Sequence, residues 1–388
     1  MKMREYNLKN IVINISIFLC SLDSFFRERG IVAIAFLLLL IVINKDFFNT
    51  IKTKYINYTF VFSFFYLFYS ILAISFPGIY LQIPVDENNF AFKIIDRLSL
   101  LIIFLLISIV FEKISMENNL YLIVKIHMMF FYFQFLLWFL FDIKFDIIEL
   151  LFGVAQRNEM GFGDNVVFRP AGLYIEPSNY AAYITCMFSP YIIKNNRFKF
   201  IDYLVPCSIL LTLSSAAFFI GLLLFFVMLI KGGVFRKLKT VILLSFLVMP
   251  LVIFLGFKQI DRFGSDGVMN NSNTILRMNL INYVIDSRME SIGLTLIGTG
   301  LYSYDMEIYR LENASDGRAI SSIQDASLFI YTFLITGVIG FLAIILLLLS
   351  TNGIANKLVV LSVFFSKISF LFPIFLFFLF FLLKNKKN

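Results

Sequence analysis

Long apolar runs, separated by short charged segments, recur along almost the whole chain of 388 residues. Overall, 60% of the residues are hydrophobic and only 15% are charged, whereas a typical globular domain is about 45–50% apolar and about 25% charged. A soluble protein of this length would need a far more polar surface. The composition excludes a soluble enzyme, a disordered chain and a disulfide scaffold. It predicts an all-α polytopic membrane protein.

The apolar runs predict about twelve membrane-spanning helices, since one span needs about 20 apolar residues. The run 201–230 is too long for one span, and basic segments flank it on both sides, so charge parity predicts a turn near Ser214. The same argument divides the last run, 358–383, near Ser366 and Lys367. The remaining predicted spans are 11–22, 30–43, 56–76, 94–111, 120–141, 172–193, 240–257 and 326–349.

This topology places two large loops on the outer side of the membrane. The chain is thereby divided into transmembrane helices over 1–257 with an outer loop at 142–169, a large extracytoplasmic loop at 258–325, and C-terminal transmembrane helices over 326–388. Apolar residues at helical spacing predict that the large loop is partly helical, around 274–286.

The formal net charge is +8, and the lysines and arginines that produce it fall on different sides of the predicted membrane. Most lysines fall in predicted inner loops, as the positive-inside rule expects, whereas most arginines fall outside. The large outer loop is net acidic, so a nucleic-acid surface is not expected. Guanidinium groups bind phosphate and carboxylate in bidentate fashion, so one or two outer arginines are candidates to bind an anionic head group; ion pairs within the loop are the alternative. The outer arginines are Arg27, Arg29, Arg157, Arg169, Arg262, Arg277, Arg288, Arg310 and Arg318.

The segment 168–179, FRPAGLYIEPSN, brings an arginine and an acid to the outer end of the sixth span. Arg169 and Glu176 are seven residues apart, about two helical turns, so both are expected on one side of a helix. A carboxylate so close to an apolar run is costly unless it is paired or functional. Pro177 is expected to interrupt the helix. Two interpretations stay open: a general base in a cation-lined pocket, and a structural Arg–Glu pair that caps the helix.

Other candidate residues are weaker. His127, the one histidine, lies about 10 Å from the inner face on this topology, so a buried structural histidine is expected. The acidic pairs Asp86–Glu87 and Asp305–Glu307 lack a histidine or a third acid at fixed spacing, so no metal site is predicted.

The pattern R-x-x-G-x-x-x-E-P-S, which begins at Arg169 and contains Glu176, resembles the bacterial O-antigen and capsule repeat-unit polymerases (Wzy-type), part of the O-antigen ligase and polymerase superfamily. Three further segments resemble that family, in the same order along the chain: LTLSSA at 211–216, IGTGL at 297–301, and SLF through TGVIG at 327–340. The large outer loop before the last spans also fits. The resemblance covers the architecture of the whole chain.

The resemblance implies a GT-C-like membrane enzyme that polymerises lipid-linked oligosaccharide repeat units for O-antigen, capsule or another surface polysaccharide. Such an enzyme transfers the growing glycan from undecaprenyl pyrophosphate to the acceptor sugar of another lipid-linked unit. The implied enzyme uses no metal or other cofactor, sits in membrane lipid of the bacterial inner membrane with its active site on the periplasmic face, and has a chain-length regulator protein as a partner. An O-antigen ligase and a lipid-oligosaccharide flippase or transporter remain the alternatives.

The same resemblance assigns the candidate site residues. Arg169 and Arg277 are the predicted pyrophosphate ligands, and the predicted catalytic base is Glu176, with Asp325 as the second choice. Asp325 stands just before the tenth span, where related ligases carry a histidine, and the arginine that many ligases carry after the position of Ser214 is missing here. Both departures favour a polymerase over a ligase.

Overall fold

The computed structural model describes residues 2–22, 35, 38–40, 53, 55–61, 63–64, 68, 87–112, 114–162, 165–233, 281–282, 285–286, 292–298 and 327–385. In chain order its elements are α1 (Lys2–Ser21), α2 (Glu87–Phe111), α3 (Met116–Phe141), α4 (Ile147–Phe152), β1 (Glu159–Phe162), β2 (Asn165–Phe168), α5 (Pro177–Lys194), α6 (Phe200–Leu211), α7 (Ser215–Lys231), α8 (Ile292–Ile297), α9 (Leu328–Ser350), α10 (Ile354–Phe364) and α11 (Pro373–Asn385).

The described part of the chain is mainly helical, which confirms the predicted helical class. Within it, α3 and α9 are long and apolar enough to cross a membrane, and several shorter apolar helices accompany them. One feature departs from the all-α prediction: β1 and β2 form a short antiparallel hairpin inside the segment 142–169. Within the predicted helix at 274–286, the four residues that the structure describes are helical.

Two compact units make up the chain. The first comprises Met1–Val42, Ser115–Asn271 and Thr351–Ile368, and the second comprises Ile43–Ile114, Ser272–Ser350 and Ser369–Asn388.

The core of the first unit is built around α3 and α5, which run antiparallel. Phe131 stacks on Tyr180 with ring centroids 4.5 Å apart, and Tyr121 stacks on Tyr191 at 4.0 Å. At the end of α5, Lys231 Nζ of α7 donates to the carbonyl oxygens of Ile192 and Ile193 at 2.5 and 2.9 Å. These carbonyls belong to the last helical turn and would otherwise lack partners, so the lysine caps α5.

Both predicted breaks in the long apolar runs are confirmed. The helix α6 ends at Leu211 and α7 begins at Ser215, with Leu213 between them at a φ of 53°. The last run is divided between α10, which ends at Phe364, and α11, which begins at Pro373.

In the second unit, two glycines meet at a break in α9. Gly337 has φ 59° and ψ −156°, which a regular helix does not allow, and Gly298 directly follows α8 with φ 75°. A Cβ atom on Gly298 would lie 2.5 Å from the backbone nitrogen of Gly337, and one on Gly337 would lie 2.5 Å from the carbonyl carbon of Leu296. Only glycine permits this contact. The motifs IGTGL and TGVIG therefore meet through their glycines.

Candidate functional site

The segment 169–176, which carries the two main candidate residues, is not helical. Helix α5 begins at Pro177, in the first helical position, where proline's missing N–H removes no hydrogen bond. Glu176 is the N-cap residue, and its carbonyl oxygen accepts from the backbone nitrogens of Asn179 and Tyr180 at 3.0 and 3.1 Å. The prediction that Arg169 and Glu176 share one helix face was therefore wrong, and Pro177 starts the helix rather than interrupting it.

The hairpin holds both ends of this segment. Its register pairs Glu159 with Phe168. One residue further, the backbone nitrogen of Arg169 donates to the carbonyl oxygen of Asn158 at 2.6 Å. The backbone nitrogen of Arg157 then donates to the carbonyl oxygen of Ile175 at 2.8 Å. The base of the hairpin thus holds Arg157 and Arg169 beside the residues that precede Glu176.

Two buried glutamines satisfy the backbone in the middle of the segment. Gln134 of α3 is fully buried, and its Oε1 accepts from the backbone nitrogens of Ala171 and Gly172 at 3.1 and 2.7 Å. Its Nε2 donates to Oε1 of Gln156 at 2.7 Å. Gln156 Nε2 in turn donates to the carbonyl oxygens of Gly172 and Tyr174 at 2.9 and 2.7 Å. Unpaired backbone groups in an apolar core are costly, so this pair allows the irregular segment to be buried.

The segment also packs closely on α3. Gly172 has φ 58°, and a Cβ atom there would lie 3.4 Å from the carbonyl oxygen of His127 and the nitrogen of Phe131. The ring of Tyr174 lies 5.0 Å from the ring of His127, centroid to centroid. His127 is fully buried, as predicted, and its Nε2 lies 2.7 Å from the hydroxyl of Ser21 on α1.

Glu176 contacts two cations from distant parts of the sequence. Its Oε1 lies 3.1 Å from Nη1 of Arg157, and its Oε2 lies 3.3 Å from Nζ of Lys367. Ser178 Oγ also donates to Oε2 at 3.3 Å. The exposed fractions of the side chains are 71% for Arg157, 27% for Glu176 and 14% for Lys367, so the carboxylate bridges an exposed and a largely buried cation.

Arg169 is close to this group without being ion-paired to Glu176. Its side chain is half-buried, and within the described part of the chain its Nε has no hydrogen-bond partner. Burial lowers the pKa of Arg169, and the nearby charge of Glu176 opposes that shift. The structural Arg169–Glu176 pair, one of the two interpretations that the sequence left open, is not formed as an ion pair in the structure, although the two charges interact.

We call Arg157, Arg169, Glu176 and Lys367 the Glu176 cluster. Burial by itself raises the pKa of the Glu176 carboxyl, but Lys367 and Arg157 together pull it below its ordinary value. The carboxylate is thus held in its charged form. Among the residues that the structure describes, the cluster has three cations and one carboxylate, and the positive end of the α5 dipole lies beside it. Such a group suits a phosphate-bearing ligand.

The remaining predicted residues cannot be compared with the structure. Arg277 and Asp325 lie outside the described residues, as do Asp86, Asp305 and Glu307. Over the described ranges there is no group of three or more histidine, cysteine or acidic side chains that could hold a metal ion.

The sequence did not predict the parts that four residues play in this site. Gln134 and Gln156 satisfy its backbone, and Arg157 and Lys367 are the ion-pair partners of Glu176. Two of them carried a signal. Gln134 is an amide inside the apolar run 120–141, and Lys367 is the one charged residue in the run 358–383. A polar group in such a run needs a partner, but the sequence does not say which.

Comparisons of the chain with protein-family models, with curated proteins and with solved structures give no match.

Proposed function

We propose that the protein is a polymerase of lipid-linked oligosaccharide repeat units for a bacterial surface polysaccharide. It transfers a growing glycan from undecaprenyl pyrophosphate to the acceptor sugar of another lipid-linked unit. The proposal places the chain in the cytoplasmic membrane with about twelve spans, and it places the Glu176 cluster on the periplasmic side. It rests on the ordered sequence patterns and on the cluster.

The observation that carries the proposal is the Glu176 cluster itself. A chain that is 60% hydrophobic gathers three cations around one partly buried carboxylate, at the start of α5. Irregular backbone is tolerated in apolar surroundings where protein groups satisfy it, and Gln134 and Gln156 do so here. This construction favours a binding site for an anionic, lipid-borne substrate over a merely structural helix end.

The proposed reaction is a glycosyl transfer. The hydroxyl oxygen of the acceptor sugar attacks the anomeric carbon of the donor, and the bond from that carbon to the pyrophosphate oxygen breaks. The pyrophosphate leaves with the electron pair, and Arg169 and Arg277 offset its growing negative charge. The proton of the acceptor hydroxyl passes to the base. Glu176 is the first candidate for this base, and Asp325 is the second. A chain-length regulator is the proposed partner, and no metal takes part.

The test is a deletion of the gene, followed by gel analysis of the surface glycan. Loss of a polymerase leaves single repeat units attached to the surface acceptor, because export and ligation continue. Loss of a ligase or a flippase leaves no repeat unit attached. The second pattern, or an unchanged ladder of long glycans, would refute the polymerase proposal. Restoring the gene on a plasmid must restore the ladder, which excludes effects on neighbouring genes.

A further inference from the structure

The two cations that contact Glu176 lie at longer distances than those of a strong charge-assisted hydrogen bond. The distances of 3.1 Å to Arg157 and 3.3 Å to Lys367 exceed the roughly 2.7–2.9 Å of a strong charge-assisted hydrogen bond. Arg157 is also 71% exposed, so water weakens its attraction to the carboxylate. The contact of Arg157 with Glu176 can therefore be exchanged for one with a stronger anionic acceptor, and a phosphate can replace the carboxylate beside Lys367.

The cluster has unused capacity for such an acceptor. Within the described ranges Nε of Arg169 has no hydrogen-bond partner. The guanidinium of Arg169 also interacts electrostatically with Glu176. A carboxylate offers only two oxygens, whereas a pyrophosphate offers several and carries more charge. A pyrophosphate could therefore engage Arg157, Arg169 and Lys367 together, which Glu176 does not.

We propose that Lys367 and Arg157 are phosphate-binding residues, and that the pyrophosphate of the substrate displaces Glu176 from them. This inference rests on the proposed function and extends it, because it adds two ligands to the substrate site and gives Glu176 a role before the transfer. No bond forms or breaks in this step; two ion pairs are exchanged for ion pairs to phosphate oxygens.

The exchange would prepare Glu176 to act as the base. Among the described residues, the charged groups that face its carboxylate are Arg157, Lys367 and, at longer range, Arg169. While the two nearer cations hold the carboxylate, they keep the pKa of Glu176 low, and a weakly basic carboxylate accepts a proton poorly. Once phosphate oxygens take those cations, burial remains and raises the pKa of Glu176. The base would become active only when the donor is bound.

The direct test measures binding of inorganic pyrophosphate to the purified full-length protein in detergent, by isothermal titration calorimetry. Lys367→Met is expected to weaken binding by about tenfold, the effect of losing one charge-assisted contact to phosphate. Glu176→Gln is expected to strengthen binding by roughly threefold or more, because the competing carboxylate is gone. If Glu176 only holds the cations in place, Glu176→Gln would instead weaken pyrophosphate binding, because the cations would lose their fixed positions.

Lys144→Met is the matched control. Lys144 forms an ion pair of 2.8 Å with Glu159, in the same part of the chain but outside the Glu176 cluster. This variant is expected to bind pyrophosphate as the unmodified protein does. Thermal unfolding of each variant in the same detergent shows whether it is folded, and a folded Lys367→Arg variant should recover most of the affinity lost in Lys367→Met.

Three results would overturn the inference: Lys367→Met binding as tightly as Lys144→Met, weaker binding by a folded Glu176→Gln variant, or no binding of pyrophosphate by the unmodified protein. None of these by itself refutes the polymerase proposal, which the glycan gel tests separately. Conversely, an unchanged glycan ladder in the deletion strain would refute the polymerase proposal. The pyrophosphate affinity measured by calorimetry would still show that the cluster binds anions.

Discussion

Oε2 of Glu176 lies 3.3 Å from Nζ of Lys367, although 191 residues separate the two in sequence. The contact joins the start of α5 to the break that follows α10. Through this contact Lys367, which lies in an apolar run of the sequence, belongs to the candidate site. Because both side chains are at least partly buried, the charge state of Glu176 affects the stability of the first unit as well as the proposed chemistry.

The first prediction concerns pH. Since the folded protein lowers the pKa of Glu176, the ionised carboxylate stabilises the fold at neutral pH. This stabilisation is fully present above the ordinary carboxyl pKa of about 4.3, and it is lost as the pH falls through the lowered pKa. Glu176→Gln should therefore lower the unfolding temperature at neutral pH and have progressively less effect in acid. A difference between the two proteins that stays constant with pH would contradict this account.

The second prediction concerns the buried glutamines. Gln134→Leu removes the acceptor for the backbone nitrogens of Ala171 and Gly172, and each buried group left without a partner costs about 1–3 kcal/mol. Chemical unfolding in detergent should show a loss of that order. Met129→Leu, at a position on the same helix that is 60% exposed, is the control and should change stability little. Equal stability of the two variants would mean that the segment 169–176 does not depend on Gln134.

The third prediction concerns the glycine contact of the second unit. Gly337→Ala would put a Cβ atom 2.5 Å from the backbone of Leu296, at a positive φ that alanine rarely adopts. We expect a loss of more than about 3 kcal/mol, the upper end for overpacking of a core, or a protein that fails to accumulate. Gly293→Ala is the matched change in α8, where nothing lies within 4 Å, and it should be neutral or slightly stabilising. Equal tolerance of both changes would show that the contact of Gly298 and Gly337 does not form.

The parts of the fold that depend on local pattern and charge were predictable. The break near Ser214 followed from run length and from the basic residues at both flanks, because a single span cannot absorb about 30 residues. The break near Lys367 followed from charge parity, given the lysines after the last run. The need of Glu176 for a charged partner was also predictable, since a carboxylate beside an apolar run is costly, and Arg157 and Lys367 supply that partner.

The geometry inside the site was not predictable, because it depends on long-range contacts. Spacing suggested that Arg169 and Glu176 share a helix face, but Pro177 favours a helix start, and the buried amides stabilise a non-helical path before it. No local pattern pairs Glu176 with Lys367, or Gln134 with Gln156. The hairpin was also not predicted, because a strand of four residues is too short for an alternating apolar and polar pattern to be recognised.

The most direct test of the Glu176 cluster as the active site is the glycan ladder of a deletion strain that carries Arg169→Ala in place of the normal gene. Arg169 contributes a partly buried cation whose Nε has no hydrogen-bond partner among the described residues, so its loss should remove stabilisation of the leaving pyrophosphate. We expect surface glycan with single repeat units, as in the deletion strain, with a normal amount of the protein in the membrane fraction. The Lys144→Met protein, measured in parallel, should give a full ladder. A full ladder from Arg169→Ala at the same protein level would contradict the assignment of the Glu176 cluster as the active site.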